Sequence, residues 1–176
     1  MLFVSVGYPL GLGSDNNYQI ETMEKIIKIP TKDFVFWRDV SDIKNLSDEQ
    51  LKKCAELRDL GLLIYAETDK ELFPLIMDLR AIRQGVGWWD TEHNQPCIFI
   101  RQGKLTAENL AENLRGLTIP TLHHVIWGCS DGIRSLKNIY DEIIDKQGGL
   151  EESDDPIFDF VCGLIMLADS QFIFFR

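Results

Sequence analysis

Few residues in this chain have types and spacings that could do chemistry. His123 and His124 are adjacent, so on a helix their rings diverge by about 100° and cannot share one metal ion as an i,i+4 pair would. Asp90, Glu92 and His93 sit together in a short polar stretch, which reads as a solvated hairpin turn ahead of an acid–base or metal site. Gly11-Leu12-Gly13 and Gly85-Val86-Gly87 lack the third glycine of a dinucleotide fingerprint and open no helix, so they read as hairpin glycines. Neither a nucleophile elbow nor a Ser/His/Asp order occurs. Cys54, Cys97, Cys129 and Cys162 are widely spaced with no Cys-x-x-Cys, and free buried thiols are expected. The expectation is a protein that is not an enzyme, with no cofactor and no bound metal.

The elements that would position any site must fit 176 residues, long enough for a substantial core. The hydrophobic content of 45% excludes a disordered chain. A formal net charge of −10 argues against a general pull toward nucleic acid or anionic membrane. Met1 to Val6 is apolar but lacks a basic n-region and breaks at Gly7-Tyr8-Pro9, so it reads as an opening strand, not a signal peptide. Apolar runs near the C-terminus are interrupted by Asp169 and are too short to span a membrane. A cytoplasmic location is expected.

The strongest organising signal is internal. Ile29-Pro30-Thr31-Lys32-Asp33-Phe34-Val35-Phe36-Trp37 returns as Ile119-Pro120-Thr121-Leu122-His123-His124-Val125-Ile126-Trp127, with five of nine residues identical. A Gly-x-Gly precedes each copy, and an apolar strand-like segment closes each, Leu62 to Tyr65 and Phe172 to Phe175. In the first copy, Leu2 to Leu12 reads as a strand and Gly13 to Asn17 as a turn; Tyr18, Ile20 and Thr22 alternate as a strand running into a short turn, while Ile20, Met23 and Ile27 also fit a helix face. A helix over Lys32 to Asp39, capped by Thr31, turns Phe34, Phe36 and Trp37 inward. Ser47 and Gln50 have capping-box spacing, with Leu46 and Leu51 as a hydrophobic staple. Leu51, Cys54, Ala55 and Leu57 form that helix's apolar stripe, and Gly61 stops it.

In the second copy, Thr68 to Glu71 forms a capping box whose helix Pro74 limits to one or two turns. Ile82 to Trp89 and Cys97 to Gln102 read as two strands, and Leu105 to Leu117 as an inserted helix capped by Thr106. Cys129 to Gly132 reads as a turn, Ser135 to Lys146 as a helix, and Gly148-Gly149 as its stop. Asp155 is an N-cap with Pro156 at the first helical position. Ile157, Phe160, Val161, Leu164, Ile165 and Leu167 make that helix apolar nearly all round, so burial is expected. The fold expected is α+β: two tandem winged-helix-like domains over residues 1–66 and 67–176, each a β-hairpin plus helices with a closing strand.

Ile126-Trp127-Gly128-Cys129-Ser130-Asp131-Gly132, a helix ending in an acidic-Gly turn, lies between a hairpin and two further helices. In that order, residues 82–176 resemble the small winged-helix domain of the pyrroloquinoline-quinone biosynthesis chaperone and the related leader-peptide recognition elements. The resemblance implies peptide or protein binding without catalysis, as an adaptor or chaperone. Its site would lie along the closing strand and the preceding helix, at Phe172, Phe174, Asp159 and Phe160. The alternative is a DNA-binding transcriptional regulator using the first copy's helix, with Gln50, Lys52, Lys53 and Arg58 toward the duplex. Acids on the same helix offset those cations, and the second copy's helix from Pro156 to Ala168 has no Lys or Arg.

Overall fold

The computed structural model describes residues 1–99, 117–147 and 153–176. Six helices and eleven strands run through them in a mixed α/β arrangement. The inserted helix expected over 105–117 and the Gly148-Gly149 stop fall outside the described residues, except that Leu117 opens a strand.

In each half an early strand pairs with the half's own last strand. In the first half, β1 (Leu2–Ser5) pairs antiparallel with β5 (Leu63–Ala66). Between them lie β2 (Tyr8–Leu12), β3 (Asn17–Glu21) and β4 (Ile26–Pro30), which form a three-stranded meander. Helix α1 (Thr31–Asp39), one 3₁₀ turn and α2 (Asp48–Asp59) follow. In the second half, α3 (Asp69–Ile76) leads to β6 (Arg80–Arg83), which pairs antiparallel with β11 (Ile173–Phe175). There β7 (Val86–Asp90), β8 (Gln95–Phe99) and β9 (Leu117–Thr118) form the meander. Helix α4 (Thr121–Cys129), β10 (Asp131–Ser135), α5 (Leu136–Gln147) and α6 (Pro156–Asp169) complete the order.

Several expectations need correcting. Leu2 to Leu12 is two strands, because Gly7 takes φ +122° and a side chain there would lie 2.1 Å from Ile20 Cγ2. Ile82 to Trp89 is likewise broken at Gly85, φ +87°. The structural counterpart of Gly85 is therefore Gly7; Gly11 instead sits at a bulge in β2. Ile26 to Pro30 is a strand where a turn was expected, so the first half contains a meander and not a hairpin. Cys129 to Gly132 is not a simple turn, since β10 starts at Asp131 and pairs with β6. Thr31 is the first residue of α1, and Pro30, with no side-chain acceptor, occupies the cap.

Other local signals are realised. Ser47 Oγ accepts from Gln50 N at 3.3 Å and Gln50 Oε1 from Ser47 N at 2.8 Å, the full capping box. Leu51, assigned to the staple and the stripe, is exposed, while Cys54 and Leu57 are buried. Asp155 caps α6 through Phe158 N, with Pro156 at the first position. One stripe of α6, Phe158 and Met166, remains exposed.

The halves share further geometry. Pro30 and Pro120 open their helices at φ/ψ of −56°/150° and −55°/147°. Helix α2 ends with Leu62 N donating to Leu57 O and Gly61 N to Arg58 O. Helix α6 ends with the same pair of bonds, Phe172 N to Leu167 O and Gln171 N to Ala168 O.

Two cores result, divided by the β1–β5 ribbon. Phe3, Leu63 and Tyr65 face the first core, around Trp37, Ile20 and Leu57. Leu2, Val4, Ile64 and Ala66 face the second, around Trp127, Phe160 and Ile139. Side chains alternate across a strand, so one ribbon serves both. A bridge between Val6 and Phe175, with Gly7 N donating to Phe175 O at 2.6 Å, joins this ribbon to the second half's sheet. No helix among the described residues is long and apolar enough to cross a membrane.

Candidate functional site

The residues singled out from sequence are placed as follows. Phe160 packs edge-on against Phe73 and Tyr140 in the core, and Phe172 is buried in the same cluster. Neither presents a face to a partner. Phe174 points the other way, half-buried and edge-on to Tyr8 at 5.4 Å. Asp159 accepts from Ser153 Oγ at 2.6 Å. The structure thus separates Phe174 from Phe160 and Phe172. Of the nucleic-acid candidates, Gln50 is spent on its helix cap. Lys53 bridges Asp33 and Glu56, and Arg58 lies over the Tyr65 ring. Lys52 is exposed.

Asp90, Glu92 and His93 form a turn. Asp90 Oδ1 accepts from Glu92 N and His93 N, while His93 Nδ1 lies 2.8 Å from Asp90 Oδ2. That side-chain bond is the main reason the Asp90 carboxyl titrates below its ordinary range. His123 and His124 lie on α4, and burial lowers the pKa of both. Their Nδ1 and Nε2 atoms, respectively, are buried without a hydrogen-bond partner among the described residues. The described residues contain no group of three or more side chains able to hold a metal ion. All four cysteines are free thiols.

The closing strand β11 offers little edge to a partner. Its pairing with β6 turns the Ile173 N–H and C=O outward, but the next outward residue, Phe175, is already bonded by Gly7. Beside Ile173 is a cleft of about 60 Å³, lined in part by Trp37, Ser41 and Asp169. At its mouth Ser41 Oγ donates to Asp169 Oδ1 at 2.6 Å, linking the two halves. Asp169 counts as exposed over the whole residue, yet its carboxyl end is crowded enough that burial, helped by the Asp42 charge, raises its pKa.

The better edge is β7, which sequence reasoning did not single out. It pairs with β8 in unbroken register from Val86–Phe99 to Asp90–Gln95, and no described strand pairs with its other side. Ile119 N donates to Pro96 O, so the backbone of Pro96 faces β9. Antiparallel ladders alternate, so residues 95, 97 and 99 of β8 bond to residues 90, 88 and 86 of β7. The N–H and C=O groups of Gly87 and Trp89 therefore point out of the sheet edge. Val86 is 65% exposed and Trp89 45%.

Beneath this strand lies Trp127. A side chain on Gly87 would meet Trp127 Cζ3 at 2.4 Å and His124 Nε2 at 3.1 Å, so the bare glycine lets β7 rest on the indole. Trp127 is held by its Nε1 donating to Gln84 O at 2.9 Å and by the Arg83 guanidinium over its ring at 5.5 Å.

The first half's outer strand, β2, is built differently. Pro9 removes a donor from it and a bulge at Leu10–Gly11 breaks its register, two devices that blunt an exposed edge. Strand β7 has neither. The sequence signal was the contrast between Tyr8-Pro9-Leu10-Gly11 and Val86-Gly87-Trp88-Trp89 at equivalent places after Gly7 and Gly85. Chemically the arrangement offers main-chain hydrogen bonds flanked by apolar side chains, a recognition surface without a reacting group. Comparison of the chain with protein-family models, with curated proteins and with solved structures returns no match.

Proposed function

We propose that this chain is a non-catalytic binding module that takes up an extended peptide or protein segment along the outer edge of β7. The observation that carries the reading is the regular, unguarded run from Val86 to Asp90, with Gly87 and Trp89 presenting their backbone groups outward. Main-chain bonds would supply affinity, and alternate partner side chains beside Val86 and Trp89 would supply selectivity. The winged-helix-like identity of the two halves, their division near residues 66 and 67, and the kinship with leader-peptide recognition elements belong to the same proposal. Their support is the shared helix starts and the matching helix ends that run into closing strands. A cytoplasmic location is also part of it, supported by four unbridged cysteines.

DNA binding through the first half has less support, because Gln50, Lys53 and Arg58 are engaged within their own half. The test is a peptide-display selection against the full chain, followed by titration of the enriched peptides. Enriched sequences should alternate apolar residues and lose about tenfold in affinity, near 1.4 kcal/mol, against Trp89→Lys. Absence of enrichment over an unrelated acidic protein, or peptides indifferent to Trp89→Lys, would overturn the reading.

A further inference from the structure

We infer that β7 pairs with β7 of a second copy of this chain, antiparallel about a twofold axis through residue 88. The inference rests on the same edge of β7 as the peptide-binding reading, the one that no described strand pairs with, and names a partner for it. The strand is complementary to itself. Gly87 and Trp89 are the outward-bonding residues and lie two apart, so each can exchange both main-chain bonds with the other across the axis. Four hydrogen bonds would close the contact, and the two meanders would become one continuous six-stranded sheet.

Side-chain register agrees with that pairing. Opposite residues of an antiparallel pair share a face, so Trp89 of one copy lies opposite Gly87 of the other. That is the face on which Trp127 fills the place a Gly87 side chain would take. The exposed indole would cover the glycine and meet the Trp127 ring, the way aromatic residues rescue glycines in sheets. Asp90 would lie opposite Val86, so no like charges face each other across the strands. The contact is isologous and therefore closed, with no tendency to grow into filaments. Its small area makes it weak, and the −10 charge on each copy opposes it, so salt should strengthen it by screening.

Sedimentation of the full chain from about 1 µM to about 500 µM covers the range in which so small an interface is populated. A reversible monomer–dimer equilibrium that tightens with added salt is expected. Trp89→Lys should abolish it, whereas Leu10→Lys on the guarded edge β2 should leave it unchanged. Val86→Asp, at a well-exposed site, sets two acid pairs facing across the axis and should raise Kd by about threefold or more; Val86→Lys, facing Asp90, should not. A chain that stays monomeric throughout, or a dimer insensitive to both Trp89→Lys and Val86→Asp, overturns the inference. Peptide binding at β7 by a strictly monomeric chain would refute this pairing and leave the functional reading intact. Dimerisation through β7 with no peptide enriched would do the reverse.

Discussion

Gly87→Ala tests the contact on which the β7 edge depends. Gly87 is not among the glycines with positive φ, so its backbone suits any residue, and alanine in a strand is ordinarily favoured over glycine by about 0.5–1 kcal/mol. Opposing that gain, the new methyl would lie 2.4 Å from Trp127 Cζ3 and 2.8 Å from Cη2. Carbon atoms need about 3.5–4.0 Å, so either the indole withdraws by about 1 Å or β7 lifts off it. The indole is pinned by Gln84 O and Arg83 and is buried, and overpacking at such a place costs about 1–3 kcal/mol. The net expectation is a loss of about 1–2 kcal/mol, which for a chain of this size lowers Tm by about 2–8 °C.

Calorimetric melting of the single variant, and of Gly87→Ala in a Trp127→Phe background, separates this account from a general intolerance of change. Phenylalanine lacks the outer indole atoms that the methyl would strike. In that background Gly87→Ala should be neutral or stabilising, giving a coupling of at least about 1 kcal/mol between the two sites. A Gly87→Ala protein that melts at or above the wild type, or costs the same in both backgrounds, would show that β7 does not rest on Trp127 as described.

Three further outcomes follow from particular contacts. Trp127→Ala should cost about 3–5 kcal/mol, the range for truncating a buried aromatic, and a melt displaced by less than about 2 °C would contradict its place in the core. Gln171→Gly should stabilise by about 0.5–1 kcal/mol, because Gln171 holds φ +59° where the matching end of α2 uses Gly61 at +76°; denaturant unfolding that shows no gain would rule that out. Burial raises the Asp169 pKa, so the native state holds that proton more tightly, and stability falls as pH rises from about 3.9 through the raised value and stays lowered above it. Asp169→Asn, which still accepts from Ser41, should therefore raise Tm at pH 7 with the gain vanishing below about pH 4; a lower Tm at pH 7 would mean that the charge stabilises.

Signals that act within one helical turn were legible in the sequence. Ser47 with Gln50, Asp155 with Pro156, and Gly61 each satisfy or end backbone bonds of their own helix, so the chemistry is local and the spacing is sufficient. Strand limits were less legible, because Gly7 and Gly85 each divide in two a segment that alternation alone reads as one strand, and Ile26 to Pro30 ends on a proline that also opens the next helix. Phe160 and Phe172 illustrate the harder limit. An aromatic beside a closing strand fits a groove or a core equally well until the packing partners are known, and here Phe73 and Tyr140 pack against Phe160. A sheet edge that no described strand pairs with is further still from sequence, since it depends on where every other strand lies.

The two tryptophans show how matched segments come to do different work. Trp37 Nε1 donates to Leu62 O, at the start of the first half's closing strand, so its ring ties α1 to the ribbon between the cores. Trp127 Nε1 donates instead to Gln84 O, two residues before β7, and its ring lies under Gly87. The same residue at the end of the same motif thus anchors a closing strand in one half and lies under an outer strand in the other. The first half's outer strand β2 is bulged and carries Pro9, features that disrupt a ladder. The second half's keeps an unbroken register over Trp127 and carries neither feature. Preorganising β7 lowers the ordering cost of any strand that joins it, whether a peptide or a second copy. That makes Gly87, the residue with no side chain to contribute, the position on which both the packing of the edge and its availability depend.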